Sequence, residues 1–197
     1  MIYNLSTPLE KETIKLLNVG DVVNISGTLY TARDAAHKRM VETILLGQEL
    51  PFDVENQLIY YVGPCPHRDG QVIGSAGPTT SSRMDKYTPY LIELGLSGMV
   101  GKGMVGKEVL DSMLKYGAVY FGAIGGAAAL LAKSIIKQEI VAYPELETEA
   151  IRKLTVVDFP TIVLIDCHGN NLYEIGKKLY MVNRNLELGG VLSPAKS

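Results

Sequence analysis

The stretch "YGAVYFGAIGGAAALLA", Tyr116 to Ala132, carries no charged side chain and is bracketed by Lys115 and Lys133. How it is read decides the fold. As a membrane span it would need about 20 consecutive apolar residues, and it falls short of that. The Gly125-Gly126 pair also interrupts it near its middle, where glycine punctuates rather than continues a helix. The run is therefore expected to be a buried strand that enters a buried helix of small residues, with no membrane involved.

Working outward, the β-branched Val22, Val23 and Ile25 of "DVVNISGTLYTA" predict a strand, ending where Thr31 can cap a helix through "ARDAAHKRMVETILLG" that stops at Gly47. "QLIYYVGP" and "QVIGSAGP" read as two short strands that each end in Gly-Pro, with "CPHRDG" as the turn between them. After "GPTTSS", Met84, Tyr87, Leu91 and Leu94 fall at helical spacing up to Gly95,. "GMVGKGMVGKEVLDSMLKYG" reads as a strand, a glycine-rich loop and an amphipathic helix. "AVYFGA", "QEIVAY", "LTVVDF" and "TIVLIDCHGNNLYEI" read as further strands, the last broken by an "HGNN" turn. Strands mixed with four helices, without regular alternation, predict one α/β domain over 1–197 with layered mixed sheets, and 188–197 as a loose tail.

Nineteen basic and 21 acidic residues leave a net charge of -2, so no global field recruits nucleic acid or an acidic membrane, and any anion must be caught locally. Cys65 and Cys167 lack C-x-x-C spacing and nearby paired histidines. They imply neither a metal site nor a disulfide framework, and they suit a reducing cytoplasm. The start, "MIYNLSTPLEKE", shows no basic segment followed by an apolar one, so no secretory signal is expected.

Three places share one design, in which a glycine turn or strand end feeds a helix start and a cation sits beside it: Arg33 in "TARDAAH", Arg83 in "GPTTSSRM" and Lys102 in "VGKGMVG". Helix N-termini offer unpaired amides and a positive partial charge, and so favour anions. An arginine there costs roughly 0.3–1 kcal/mol of helix stability. One such arginine is ordinary; three cations together suggest clamps for a compact dicarboxylate, with guanidinium forks for the carboxylates. His37 shares a helix face with Arg33, and Asp34 is a cap or a partner for a nearby cation,. His67 and His168 read as surface histidines. Thr79, Thr80 and Ser81 supply more hydroxyls than one cap can use, which leaves one free to meet a ligand. No G-x-S-x-G elbow is present, and "GKGMVG" has glycine spacing without an acidic ribose-binding residue, so a hydrolase or a nucleotide site is poorly supported. The residues give anion clamps and a candidate hydroxyl, and not a complete catalyst.

"GTLYTARDAAHKRM", "YYVGPCP", "IGSAGPTTSSRMDKY", "GMVGKG", "GGAAALLAKSI" and "EAIRKLTVVDFPTIVLIDCHGNNLY", in this order from Leu5 to Tyr173, closely resemble the beta subunit or C-terminal domain of the class I fumarase and L-tartrate dehydratase family of iron-sulfur hydro-lyases. The resemblance implies a swivelling β/β/α domain, distantly similar to the mobile domain of aconitase. It also implies a partner alpha subunit that holds a [4Fe-4S] cluster through three cysteines, and a higher oligomer of such pairs. By the same resemblance Arg33, Arg83 and Lys102 would bind substrate carboxylates and Thr79 would be the catalytic base. Asp34 and His37 would support Arg33 from behind, and this chain itself would hold no metal. Fumarate hydration to malate is the expected activity, with tartrate dehydration to oxaloacetate as the alternative. A non-catalytic anion-binding or assembly module is the alternative of another class.

Overall fold

Along "LIYYV" the side chains alternate between two buried clusters: Leu58, Tyr60 and Val62 belong to one, Ile59 and Tyr61 to the other. Strand periodicity puts successive residues on opposite faces, so a strand apolar on both faces must be covered on both. The computed structural model, which describes residues 1–66, 70–123 and 128–189, shows how. Its strands are β1 (Ile2–Ser6), β2 (Val22–Thr31), β3 (Leu58–Tyr60), β4 (Gly98–Gly101), β5 (Val119–Ala123), β6 (Ile135–Ala142) and β7 (Ile151–Ile165). The helices are α1 (Lys11–Lys15), α2 (Asp34–Leu45), α3 (Thr88–Glu93), α4 (Lys107–Tyr116), α5 (Ala128–Lys133) and α6 (Leu172–Gly189).

The strands form a single seven-stranded mixed sheet. β2, β3, β4 and β5 run parallel in that order. The long β7 then pairs antiparallel with both β5 and β2, so the circuit β2–β3–β4–β5–β7 closes on itself. β1 extends β2, and β6 extends β7. Val23, Ile25, Leu29, Tyr60, Val100, Phe121, Leu154 and Phe159 pack into one cluster on the enclosed face. The opposite cluster joins Ile59, Tyr61, Met99 and Tyr120 to Met40 of α2, Leu91 and Ile92 of α3, and Val109 and Met113 of α4. The α/β expectation holds, with all seven strands in one mixed sheet whose circuit closes.

Several local expectations change. "LTVVDF" and "TIVLI" fuse into β7, because the break at Asp158 (φ 49°) is absorbed by a register shift opposite Ile25 and Gly27, and the Asp158 amide donates to Ser26 Oγ at 3.0 Å. "QVIGSAGP" forms no ladder strand; it is tied down by the Val62–Pro78 bridge and by the Cys65 amide bonding the Ser75 carbonyl at 3.0 Å. "NLYEI" opens a helix, since Asn171 Oδ1 accepts the Tyr173 amide at 3.0 Å. This is a side-chain cap signal that outweighs the apparent alternation. Thr31 caps nothing: it is buried in β2, donating to the Ala150 carbonyl and accepting from the Arg152 amide. The helix after it begins at Asp34.

The opening stretch divides as well. β5 is buried throughout, as expected, but α5 is not a buried helix: Leu131 faces the core, while Leu130 is exposed. Residues 124–127 between them lie outside the described residues. Of the predicted tail, 188 and 189 complete α6, and the remainder lies outside the described residues. No helix among the described residues is long and apolar enough to cross a membrane.

Candidate active site

The parallel strands β2, β3 and β4 end on one rim of the sheet, where open α/β folds commonly place their ligands. Arg33 follows β2, Gly63 follows β3 and Lys102 follows β4. Residues 77–84 are laid across this rim and stitched to it. The Thr79 amide bonds the Tyr61 carbonyl at 2.7 Å, the Ser81 amide bonds the Lys102 carbonyl at 3.0 Å, and Thr80 bridges to Lys102. The Tyr120 hydroxyl donates to the Gly103 carbonyl at 2.9 Å, so the Ser81 hydroxyl, 2.7 Å away, donates to Tyr120. Gly101 is glycine for this reason: a Cβ there would collide with Ser81 Oγ. Asp85 reaches the start of α4, where a Cβ on Gly106 would stand 2.8 Å from its Oδ2.

None of the three hydroxyls caps a helix, contrary to expectation. Ser81 is spent on Tyr120, and Thr80 precedes the 3-10 turn Ser81–Met84 without a side-chain cap bond. Thr79 is half-buried, and no protein hydrogen bond holds its hydroxyl among the described residues. Arg83 lies within that 3-10 turn rather than at an α-helix start, and Lys102 ends on the rim several residues before α4. The expected helix-start setting belongs to Arg33 alone, which occupies the N-cap position of α2.

The arginines are not bare. Arg33 Nη2 lies 3.2 Å from Glu149 Oε1, and Arg83 is paired with Asp34. Asp34 thus serves Arg83 and not Arg33, because the 3-10 turn brings Arg83 over the first turn of α2. His37 meets Arg33 at its backbone: Nδ1 stands 2.9 Å from the Arg33 carbonyl. A carbonyl only accepts, so Nδ1 carries the proton and donates. The His37 ring also meets the Tyr61 ring edge-on at 5.3 Å. Lys102 is exposed and without an ion-pair partner among the described residues. The structure thus joins Arg33, Asp34, His37 and Arg83 by direct contact. Thr79 is linked to them through Tyr61, and Lys102 through the backbone of Thr80 and Ser81.

Sequence reasoning missed Glu149 and Tyr61. Glu149 lies 116 positions after Arg33 by numbering, so only the long return through β7 reveals the pairing. Tyr61 looked like one more strand residue, and its alternation in "LIYYV" was the available sign that it faces the helix layer.

Burial lowers the His37 pKa to about 4, against the opposing pull of the Arg33 carbonyl and the Asp34 charge. The ring is neutral at pH 7, and among the described residues its Nε2 is buried without a partner, as are Arg33 Nε and Asp34 Oδ1. A depressed pKa on a base means the unfolded chain takes up a proton first, so stability is full above pH 6.5 and falls as pH drops towards 4. That loss amounts to about 3 kcal/mol. Thermal melts from pH 7 to 4 are expected to show it, and His37→Gln to lack that part of the acid loss; an unchanged slope would mean that His37 does not titrate this way.

His168 is exposed, as expected, with Nε2 3.1 Å from the Lys15 carbonyl; His67 lies outside the described residues. Cys65 and Cys167 are free thiols, and among the described residues no group of three His, Cys, Asp or Glu side chains is placed to hold a metal. A two-thiol chain does not offer the cysteine set that an iron-sulfur cluster takes.

A closed mixed sheet that carries Arg33, Arg83, Lys102 and Thr79 along one rim defines an α/β domain. By its sequence the chain belongs to the family described as Fumarase C-terminus, which matches residues 2–176. It is 44% identical over 179 residues to a Methanocaldococcus jannaschii protein whose provisional name is L(+)-tartrate dehydratase subunit beta, covering 87% of this chain and 92% of that one. It is 41% identical over 175 residues both to fumarate hydratase 2 of Leishmania major and to the anaerobic class I fumarate hydratase of Escherichia coli. These alignments cover 87% of this chain but only 31% and 32% of those proteins. The chain therefore spans about a third of the fumarate hydratases it matches.

Proposed function

We propose that this chain is the beta subunit of a two-subunit, iron-sulfur-dependent hydro-lyase acting on a C4 dicarboxylate, and that it works in the cytoplasm. The observation that carries the reading is the meeting of Arg33, Asp34, His37 and Arg83 on the rim that also bears Thr79 and Lys102. Fumarate/malate and tartrate/oxaloacetate both fit. The near full-length match to the tartrate dehydratase subunit favours the second, and the fumarate hydratase matches favour the first. The two substrates differ by a hydroxyl that carboxylate clamps do not read.

Because the chain's own thiols do not fit a cluster, we assign the [4Fe-4S] group to an alpha subunit, which closes on this domain as a swivelling half. The pairs assemble into higher oligomers. What this chain contributes is binding and proton transfer. Arg33 and Arg83 hold the substrate carboxylates through guanidinium forks, and Lys102 adds a point charge. Thr79 takes the proton from the carbon next to a carboxylate. The electron pair left behind spreads into that carboxylate, where the cations stabilise the extra charge. The hydroxyl leaves from the neighbouring carbon as water, with a proton supplied by the partner, and the double bond forms.

Mixing the chain anaerobically with a cluster-loaded alpha subunit tests this. The chain alone is expected to be inactive and the pair to dehydrate malate or tartrate. Turnover by the isolated chain would refute the shared site. Inactivity of the pair on both acids, together with tight dicarboxylate binding by the chain alone in calorimetry, would make it a non-catalytic binding module.

A further inference from the structure

The geometry points to Glu149 as the positioning residue that aims Arg33, an inference that rests on the dicarboxylate reading above. Glu149 closes the 3-10 segment Pro144–Glu149 that leads from β6 into β7. Its two oxygens do different work: Oε2 accepts the Ala35 amide at 3.0 Å, and Oε1 faces Arg33 Nη2 at 3.2 Å. One carboxylate thus caps the start of α2 and fixes the guanidinium beside it. Both side chains are four-fifths removed from solvent, at 20% and 22% exposure, so the pair is less screened than a surface bridge.

Arg33 also packs closely on Gly63, where a Cβ would lie 2.6 Å from Nη1 and 2.9 Å from Cδ. The guanidinium is therefore held against both Gly63 and Glu149, and its Nε is buried without a partner among the described residues. A fork held this way has lost its rotamer freedom before a ligand arrives, which is how preorganisation raises affinity. The segment that delivers Glu149 is itself clipped to α2, since Glu145 pairs with Arg39 and the Arg39 guanidinium lies 5.0 Å from the centre of the Tyr143 ring. Tyr143 and Glu147 both adopt positive φ, 57° and 53°, a conformation uncommon outside glycine. The tight course of this segment ends with Glu149 on Arg33.

Glu149→Gln tests the assignment in the assembled enzyme, since the amide oxygen can keep the Ala35 bond while the charge opposite Arg33 is lost. The readout is the ratio of inhibition constants for butyrate and succinate, which differ in the second carboxylate. Glu149→Gln is expected to weaken succinate about tenfold, leave butyrate nearly unchanged and raise KM more than it lowers kcat. Glu42→Ala, which removes the exposed Lys38–Glu42 pair further along α2, is expected to leave the ratio alone. A merely structural role would lower the melting temperature and weaken both inhibitors alike. A wild-type enzyme that turns over, with the same ratio in Glu149→Gln, overturns the positioning role alone; a wild-type pair that turns over neither malate nor tartrate overturns the parent reading and this one with it.

Discussion

Thr79→Val is expected to lower kcat of the assembled enzyme about a thousandfold while leaving the fold intact. General-base contributions run from about a hundredfold to ten-thousandfold, and valine keeps the shape of threonine while removing the oxygen. The stability cost is small because the Thr79 hydroxyl makes no protein hydrogen bond among the described residues, whereas its backbone bond to the Tyr61 carbonyl survives substitution. Thr79→Ser, which keeps a hydroxyl, should recover most of the rate. Stopped assays of the two variants with malate and tartrate decide the matter: a valine variant within a few-fold of wild type would place the proton acceptor elsewhere on the rim. A hydroxyl is a weak base in water and needs a cationic setting, which here falls to Arg33, Arg83 and Lys102.

Arg83→Ala should separate function from stability in the same way. Its side chain is 48% exposed, and an ion pair so open to solvent contributes at most about 1 kcal/mol to folding. Removing a charge-assisted contact to a substrate carboxylate costs about 1.5–3 kcal/mol for each hydrogen bond, so a two-bond fork accounts for a loss of a hundredfold or more in kcat/KM. Thermal melts and steady-state kinetics on one preparation suffice. Equal losses of stability and activity would return Arg83 to the role of a partner for Asp34. Arg83→Lys keeps the charge without the fork and is expected to remain impaired, since an ammonium is a point donor.

Local signals carried much of this. The strands β2 to β5 were readable because β-branched and apolar residues run between glycine turns. Gly47, Gly95 and Gly117 mark helix ends, and each has positive φ, which glycine tolerates without a Cβ penalty. What sequence could not show were relations across the ring. Nothing local to Asp158 tells that a partner strand will absorb its irregular backbone and make one strand of two. Nothing local to Arg33 or Arg83 announces Glu149 or Asp34, because an ion pair depends on which elements become neighbours. Asn171 was readable in principle: it stands just before an apolar helical face, and the alternating pattern of "NLYEI" hid it.

The ring also sets an order of events. β2, at residues 22–31, finds its antiparallel partner only in β7, at residues 151–165. Such distant pairings must bear the entropy of closing a long loop before any contact rewards them, so chains dominated by them fold slowly. On the ribosome the segment carrying Arg33, Thr79, Arg83 and Lys102 emerges well before the strand that completes the sheet. Until β7 arrives, β2 has an unpaired edge of the kind that recruits other chains, and Arg33 has no Glu149 to meet. Synthesis of the last strand is thus the step that both seals the nascent domain against aggregation and readies its anion clamp.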